Sequence, residues 1–124
     1  GVAYFEKSSK GVLVTAEIYG LPIQDGNKNG FFGFHIHEGG SCAGTEEAGG
    51  HYNPKNVPHP FHAGDLPPLM SNNGFAYMTV LTDRFTLNEI IGKTVIIHAT
   101  ADDFRSQPAG DSGGRIACGV IRSF

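Results

Sequence analysis

The sequence predicts an all-β fold, either a sandwich or a barrel, with long loops. Short segments in which β-branched and aromatic residues alternate with other residues recur along its 124 residues. Its 18 glycines and seven prolines fit many turns and few helices. The length is enough for one core, so we expect residues 1–124 to form a single domain.

The alternating segments are predicted to be strands. A further strand is expected near Leu66, and only Leu87 to Ile91 has the pattern of a brief helical turn. The predicted strands run from Val2 to Glu6, Val12 to Tyr19, Phe31 to His37, Phe75 to Leu81, Thr94 to Ala99 and Arg115 to Ile121.

Long irregular stretches interrupt the strands in three places. Loops of this length in a compact domain are usually functional. The stretches run from Glu38 to Asp65, from Leu81 to Lys93 and from Asp102 to Gly114.

Charge and hydropathy argue against two classes of partner. The formal net charge of −3 at pH 7 gives no basic footprint for nucleic acid. No apolar run approaches the ~18 residues that indicate a membrane span. We therefore expect neither a nucleic-acid partner nor a membrane span.

The sequence contains two cysteines, Cys42 and Cys118. They do not form a close C-x-x-C pair, so a thiolate zinc site is not expected. The residues alone leave two interpretations open. One is a single long-range disulfide, which we favour, and the other is a pair of buried free thiols.

Six histidines and one aspartate can be assigned to one metal-binding constellation. Imidazoles alone suit copper or zinc, and a carboxylate beside three imidazoles suits zinc. Because a mononuclear zinc site takes four ligands, two four-ligand sites that share one ligand account for all the donors. The donors are His35, His37, His51, His59, His62, Asp65 and His98.

Single members of this set are weaker signals. His35 and His37 would project from the same face of a strand, but an isolated H-x-H pair is more often incidental. A lone His98 at the end of an apolar strand would normally be a hydrogen-bonded core residue. Metal binding is favoured because these residues occur together with a loop in which His59 and His62 are spaced three residues apart.

Four segments, in this order, resemble the signature blocks of copper–zinc superoxide dismutases. The likeness extends from about Val12 to the last residue. Ser41-Cys42 and the Asp65-Leu66-Pro67 turn look closer to the bacterial branch of that family than to the eukaryotic one. The four blocks are Gly33 to Glu38, Gly49 to Pro54, His62 to Leu66 and Gly113 to Ile121.

The resemblance implies a Greek-key β-sandwich or flattened β-barrel of about seven to eight antiparallel strands with long metal-binding loops. Val2 to Glu6 matches the family's second strand, so we expect the first strand to be missing. The implied cofactors are copper and zinc. Carried over by position, the copper ligands are His35, His37, His51 and His98, and the zinc ligands are His51, His59, His62 and Asp65.

The resemblance also implies roles for residues around the metals. Asp102 would orient one ligand of each metal, and Cys42 and Cys118 would form the family's disulfide. Arg115 would lie beside the copper channel, where it attracts an anionic substrate. His51, the shared ligand, would deliver a proton as a general acid. The expected catalytic residues are therefore His51 and Arg115.

The implied activity is the conversion of two superoxide anions and two protons into dioxygen and hydrogen peroxide. A stable disulfide persists outside the reducing cytosol, so a secreted, periplasmic or cell-surface location is expected rather than a cytosolic one. The family pattern also allows a homodimer.

The missing strand and the shortened loops leave two other hypotheses. One is a noncatalytic module that sequesters or delivers copper on the same scaffold. The other is a structural domain that zinc stabilises and that never loads copper. A degenerate member should have lost a copper ligand, and this chain has lost none, so we favour the enzyme.

Overall fold

The computed structural model describes residues 1–23 and 29–124, which form seven strands and two short helices. The strands are β1 (Val2–Ser8), β2 (Gly11–Ile18), β3 (Phe31–His37), β4 (Asp65–Met70), β5 (Ala76–Thr82), β6 (Thr94–His98) and β7 (Arg115–Val120). The helices are α1 (Thr45–Ala48) and α2 (Leu87–Ile90).

The predicted elements are confirmed, with one addition. Each predicted strand is present with its ends shifted by at most two residues, and β4 is the strand expected near Leu66. The helical turn at Leu87 to Ile91 is α2, which a capping box between Thr86 and Glu89 begins. Helix α1, which lies between Gly44 and Gly49, was not predicted. Neither helix of the described chain has the length or the apolar character needed to cross a membrane.

The strands form two antiparallel sheets, with the orders β1-β2-β5 and β4-β3-β6-β7. The chain changes sheet between β2 and β3, returns between β4 and β5, and changes again between β5 and β6, as in a Greek key. β1 and β7 are end strands of their sheets. The sheets of the described residues therefore form an open sandwich and do not close into a barrel.

The core lies between the two sheets. In β2 the alternate residues Val12, Val14 and Ala16 are buried, which is the period of a strand with one face toward a core. Phe34 and Ile36 of β3 belong to the same cluster and are at most 1% exposed. Burying a side chain of this kind contributes about 1.5–3 kcal/mol to folding.

β3 is buried on both of its faces, and this is what positions the polar side chains. His35 and His37 alternate with Phe34 and Ile36, so they project away from the apolar core. They are nevertheless 0% and 2% exposed. Because buried polar atoms are costly unless they have partners, this second face of β3 requires ligands or hydrogen bonds.

Cys42 and Cys118 form a disulfide, so the interpretation as free thiols is wrong. The bond joins the loop after β3 to β7 across a separation of 76 residues. In the chain-entropy model, closing a loop of this size stabilises the fold by roughly 4 kcal/mol. The disulfide also ties the beginning of the 38–64 loop to the second sheet.

Candidate metal centre

The predicted donors lie together on the face of β3 that points away from the apolar core. Apart from Asp65, the first residue of β4, three of them come from strands and three come from the 38–64 loop. The loop reaches the strand face at His51, which pairs with His37 in an isolated antiparallel bridge. The strand donors are His35, His37 and His98, and the remaining donors are His51, His59, His62 and Asp65.

The donors predicted for copper form what we call the first group. One ligand atom from each of His35, His37, His51 and His98 lies within 4.8 Å of all the others. Nε2 of His37 is 3.3 Å from Nε2 of His98, and the ring centroids of His35 and His51 are 4.1 Å apart. Four imidazole nitrogens around one point form a ligand set for copper or zinc.

The donors predicted for zinc form the second group, which converges on the carboxylate of Asp65. Oδ1 of Asp65 is 2.8 Å from Nδ1 of His51, and Oδ2 is 3.0 Å from Nδ1 of His59 and 3.2 Å from Nδ1 of His62. Three imidazoles and one carboxylate are a four-donor set that suits tetrahedral zinc.

His51 belongs to both groups. Its Nδ1 lies against Asp65 and against Nδ1 of His62, at 2.8 and 3.2 Å. Its Nε2 is buried and has no hydrogen-bond partner, and its ring adjoins those of His35 and His37. One imidazole therefore offers one nitrogen to each group.

Asp102 contacts one histidine ring of each group. Its Oδ2 is 2.7 Å from Nε2 of His35, and its Oδ1 is 2.7 Å from Nε2 of His59. Because an ionised carboxylate only accepts hydrogen bonds, both Nε2 atoms carry the proton and both Nδ1 atoms keep a free lone pair. Asp102 therefore orients one ring of each group rather than serving as a further ligand.

Backbone carbonyls orient two other rings of the first group in the same way. Nδ1 of His37 donates to the carbonyl oxygen of Gly49 at 2.8 Å, and Nδ1 of His98 donates to that of Gly113 at 3.2 Å. The proton on Nδ1 leaves Nε2 of each ring unprotonated. Nε2 is accordingly the atom that each ring presents to the group.

The electrostatics keep these rings neutral at pH 7. Burial, together with the nearby charges of His51 and Arg115, lowers the pKa of His37 to about 3. Burial likewise lowers the pKa of His98 to about 4. Burial by itself would raise the pKa of Asp102, but the hydrogen bonds from His35 and His59 outweigh it and lower the pKa to about 2. Neutral imidazoles and ionised carboxylates are the forms that bind metals.

The donor atoms fit the two metals. Nδ1 of His35, Nε2 of His51 and Nδ1 of His59 are buried and lack any hydrogen-bond partner. Each such atom costs roughly 1–3 kcal/mol if it stays unsatisfied. Nδ1 of His35 and Nδ1 of His59 are the atoms that the proton assignments leave for metal binding, and Nε2 of His51 is the nitrogen that does not contact Asp65. A metal ion in each group would satisfy them.

Arg115 lies beside the first group. Its Nη2 donates to the carbonyl oxygen of Gly49 at 2.6 Å, and this is the oxygen that also accepts from Nδ1 of His37. Its charge contributes to the lowered pKa values of His37 and His98. The structure thus places the predicted channel arginine next to the first group.

Gly110 contributes to the centre, although no sequence pattern points to it. A Cβ atom there would lie 2.0 Å from Oδ1 of Asp102 and 2.6 Å from Nε2 of His59. Its φ of +69° also favours glycine. The residues next to Gly110 in the sequence do not show that glycine is required there, because the atoms that a Cβ would meet belong to residues elsewhere in the chain.

Comparisons with known proteins agree with this geometry. The family model described as "Copper/zinc superoxide dismutase (SODC)" matches residues 1–121. The chain is 39% identical to the Superoxide dismutase [Cu-Zn] of Photobacterium leiognathi, over 98% of this chain and 78% of that protein. It is 37% identical to the Superoxide dismutase [Cu-Zn] of Legionella pneumophila, over 98% of this chain and 77% of that protein.

Solved structures give the same result. The Cu/Zn superoxide dismutase from Brucella abortus matches with a TM-score of 0.78 and 30% identity, over 97% of this chain and 86% of that chain. A SOD-like protein from Bacillus subtilis, solved as a double mutant with a tyrosine and a proline replaced by histidines, matches with a TM-score of 0.80. Its identity is 31%, over 98% of this chain and 88% of that chain.

Both the family match and the bacterial relatives cover almost the whole chain, and the buried histidines are grouped as a two-metal site requires. The chain therefore belongs to the copper/zinc superoxide dismutase family.

Proposed function

We propose that this protein is a superoxide dismutase that works at a copper–zinc centre bridged by His51. The observation that carries the proposal is the shared imidazole, which offers Nδ1 to the second group and Nε2 to the first. In this assignment copper takes His35, His37, His51 and His98, and zinc takes His51, His59, His62 and Asp65. A structural zinc site alone would not need the four-imidazole group beside it.

The metals and the protein contribute different parts of the reaction. Copper would supply the one-electron chemistry that turns two superoxide anions and two protons into dioxygen and hydrogen peroxide, and zinc is redox-inert. With Nδ1 of His51 engaged by the metal of the second group, its Nε2 would be the atom that carries a proton to the reduced substrate. Asp102 keeps the rings of His35 and His59 in the orientation that presents Nδ1.

Arg115 provides the positive charge that a small anion requires. The chain carries a formal net charge of −3, so its overall field repels superoxide. The guanidinium adjoins the first group and is held there by the carbonyl oxygen of Gly49. Arg115 attracts and orients the substrate anion at the copper side of the centre.

The proposal is tested with protein loaded with both metals. We expect it to inhibit the reduction of cytochrome c by superoxide, and we expect His37→Ala, which lacks one copper ligand, to lose that inhibition. Equal behaviour of the two proteins would refute the catalytic assignment. Copper binding without inhibition would instead support the noncatalytic copper module.

The proposal also covers the domain organisation, the location and the oligomeric state of the protein. Residues 1–124 form one domain, since one cluster of buried side chains spans both sheets. The protein works outside the cytosol, where a disulfide such as Cys42–Cys118 persists, and cell fractionation tests this.

The protein forms a homodimer, for which the exposed apolar pair of Phe31 and Met70 on neighbouring strands offers a surface. Light scattering at several concentrations tests the dimer.

A further inference from the structure

The connection between β5 and β6, residues 83–93, supplies no donor to either metal group. The sequence predicts a long loop here, and the proposed function gives it no role. In the structure it lies against the 38–64 loop, which carries the ligands that are not on strands. Its contacts with that loop are made at two points.

Arg84 makes the first contact. Its Nη1 donates to the carbonyl oxygen of Pro60 at 2.8 Å and to that of His62 at 3.2 Å. His62 is a donor of the second group, so Arg84 holds the backbone of a ligand residue directly. Hydrogen bonds from a charged guanidinium are stronger than neutral ones, and their fixed directions constrain both carbonyls at once.

Glu89 makes the second contact. Its Oε1 accepts from the hydroxyl of Tyr52 at 2.7 Å, and its Oε2 accepts from the backbone N–H of Thr86 at 2.7 Å. The capping box of α2 thereby fixes the carboxylate that holds Tyr52. Tyr52 follows His51 in the chain and is 7% exposed.

Tyr52 is tied to both ligand sets by its backbone. Its N–H donates to the carbonyl oxygen of Ile36, the residue between His35 and His37, at 2.8 Å. Its carbonyl oxygen accepts from the N–H of Gly64, next to Asp65, at 2.9 Å. A shift of Tyr52 would therefore move the bridging imidazole relative to both groups.

Lys93, at the end of the connection, closes this second contact. Its Nζ lies 4.6 Å from the centroid of the Tyr52 ring and 3.1 Å from Oε1 of Glu38. A cation over an aromatic face is attracted to it, so Lys93 holds the Tyr52 ring through its face. Glu38 follows His37, so the connection also reaches the end of β3.

We propose that Arg84 and Glu89 are positioning residues through which the 83–93 connection braces the metal loop. Arg84 fixes the carbonyls around His62, and Glu89 fixes the loop position of His51 through Tyr52. The affinity of the second group for its metal then depends on residues that bind no metal. The inference rests on the ligand assignment of the proposed function.

The first test uses Co²⁺ as a spectroscopic probe of the second group in metal-free protein. We expect Arg84→Ala to weaken Co²⁺ binding about 10-fold in competition with a chelator, as losses of outer hydrogen bonds typically do. Its visible Co²⁺ spectrum should also change, because the ligand geometry relaxes. Arg84→Lys, which keeps one charged donor, should recover part of the affinity. Arg122→Ala, which removes an exposed arginine after β7, is the control.

The second test removes one hydroxyl. Tyr52→Phe keeps the ring and deletes the hydrogen bond to Glu89, and the exposed Tyr77→Phe is its control. We expect Tyr52→Phe, and not Tyr77→Phe, to weaken Co²⁺ binding and alter its spectrum. Circular dichroism of the metal-free proteins verifies the fold. Should Arg84→Ala not fold, Arg84→Lys and Tyr52→Phe decide.

The possible results separate the two proposals. Affinities and spectra of Arg84→Ala and Tyr52→Phe that equal those of wild type would overturn the brace while leaving the dismutase proposal intact, and Arg84→Lys takes the place of Arg84→Ala if the latter does not fold. Failure of wild-type protein to bind Co²⁺ with a tetrahedral spectrum would instead overturn the ligand assignment, and the brace with it.

Discussion

The two metal groups are built in different ways although they share a histidine. Three of the four donors of the first group come from neighbouring strands, β3 and β6, whose register places His35 opposite Ile96 and His37 opposite Thr94. The second group takes its donors from the 38–64 loop and from the start of β4. Strand register sets the first group, whereas a loop must be held by side chains from elsewhere.

The hydrogen bonds around the groups reflect this difference. In the first group, His37 and His98 need only the carbonyl oxygens of Gly49 and Gly113 to orient their rings. The loop of the second group is held by Asp102 and Arg84, and Gln107 exchanges two hydrogen bonds with the backbone of His59. Loss of one such contact should therefore disturb the second group more than the first.

The largest expected effect comes from His51→Ala, because this residue is the donor that both groups share. We expect dismutase activity to fall by about 100-fold or more, since a ligand and a proton donor are lost together. We also expect both metals to bind more weakly. Inhibition of cytochrome c reduction and metal content after dialysis measure these outcomes. Retention of both metals and of activity would contradict the shared role.

Asp102→Asn should have the next largest effect. An asparagine side chain has only one oxygen to accept a hydrogen bond, and its NH₂ group meets the second ring N–H. We expect metal affinity to fall about 10- to 100-fold, as for other outer hydrogen-bond partners. The fall should be larger for the second group, because β3 still holds His35 in place. Chelator competition for each metal separately measures it, and an equal fall at both groups would contradict the distinction drawn here.

Acid should destabilise the metal-free protein in part through the first group. His37 and His98 have pKa values near 3 and 4 when folded, below the unfolded value of 6.5, so protons bind the unfolded chain more readily. Their stabilisation is therefore present above pH 6.5 and is lost as the pH falls toward 4 and then 3. Each histidine contributes a slope of up to about 1.4 kcal/mol per pH unit.

Urea unfolding of the metal-free protein at several pH values measures that slope. His37→Gln, which cannot take up a proton in this range, should show a shallower dependence. Asp102, with a pKa lowered to about 2, adds a similar loss only as the pH falls below 3.8. A slope that does not change in His37→Gln would rule out the assignment to the first group.

Arg115→Ala should give the smallest of these effects. We expect turnover to fall at most about 10-fold at low salt and its dependence on ionic strength to flatten, because one positive charge beside the first group is removed. Metal content should stay unchanged, since Arg115 contacts a carbonyl rather than a metal donor. Arg122→Ala is the control for net charge, and unchanged rates at low salt would refute the steering role.

Sequence patterns predicted the strands and the donor set because both are periodic or local signals. Alternation along β2 and β3 follows from the two faces of a strand, and it separates His35 and His37 from Phe34 and Ile36. The count of histidines predicted a shared ligand, and the structure brings the seven donors into two overlapping groups. The sequence pattern did not show helix α1 or the close approach of Gly110 to Asp102.

Composition and spacing by themselves thus predicted the fold class and the set of candidate metal donors. Tertiary structure decided which nitrogen of each ring is free, since that depends on acceptors such as Asp102 and Gly49 that lie far away in the chain. It also decided that Arg84 and Glu89 hold the metal loop. The physical reason is that a periodic pattern encodes the direction of a side chain, whereas its hydrogen-bond partner is known only once distant segments have packed.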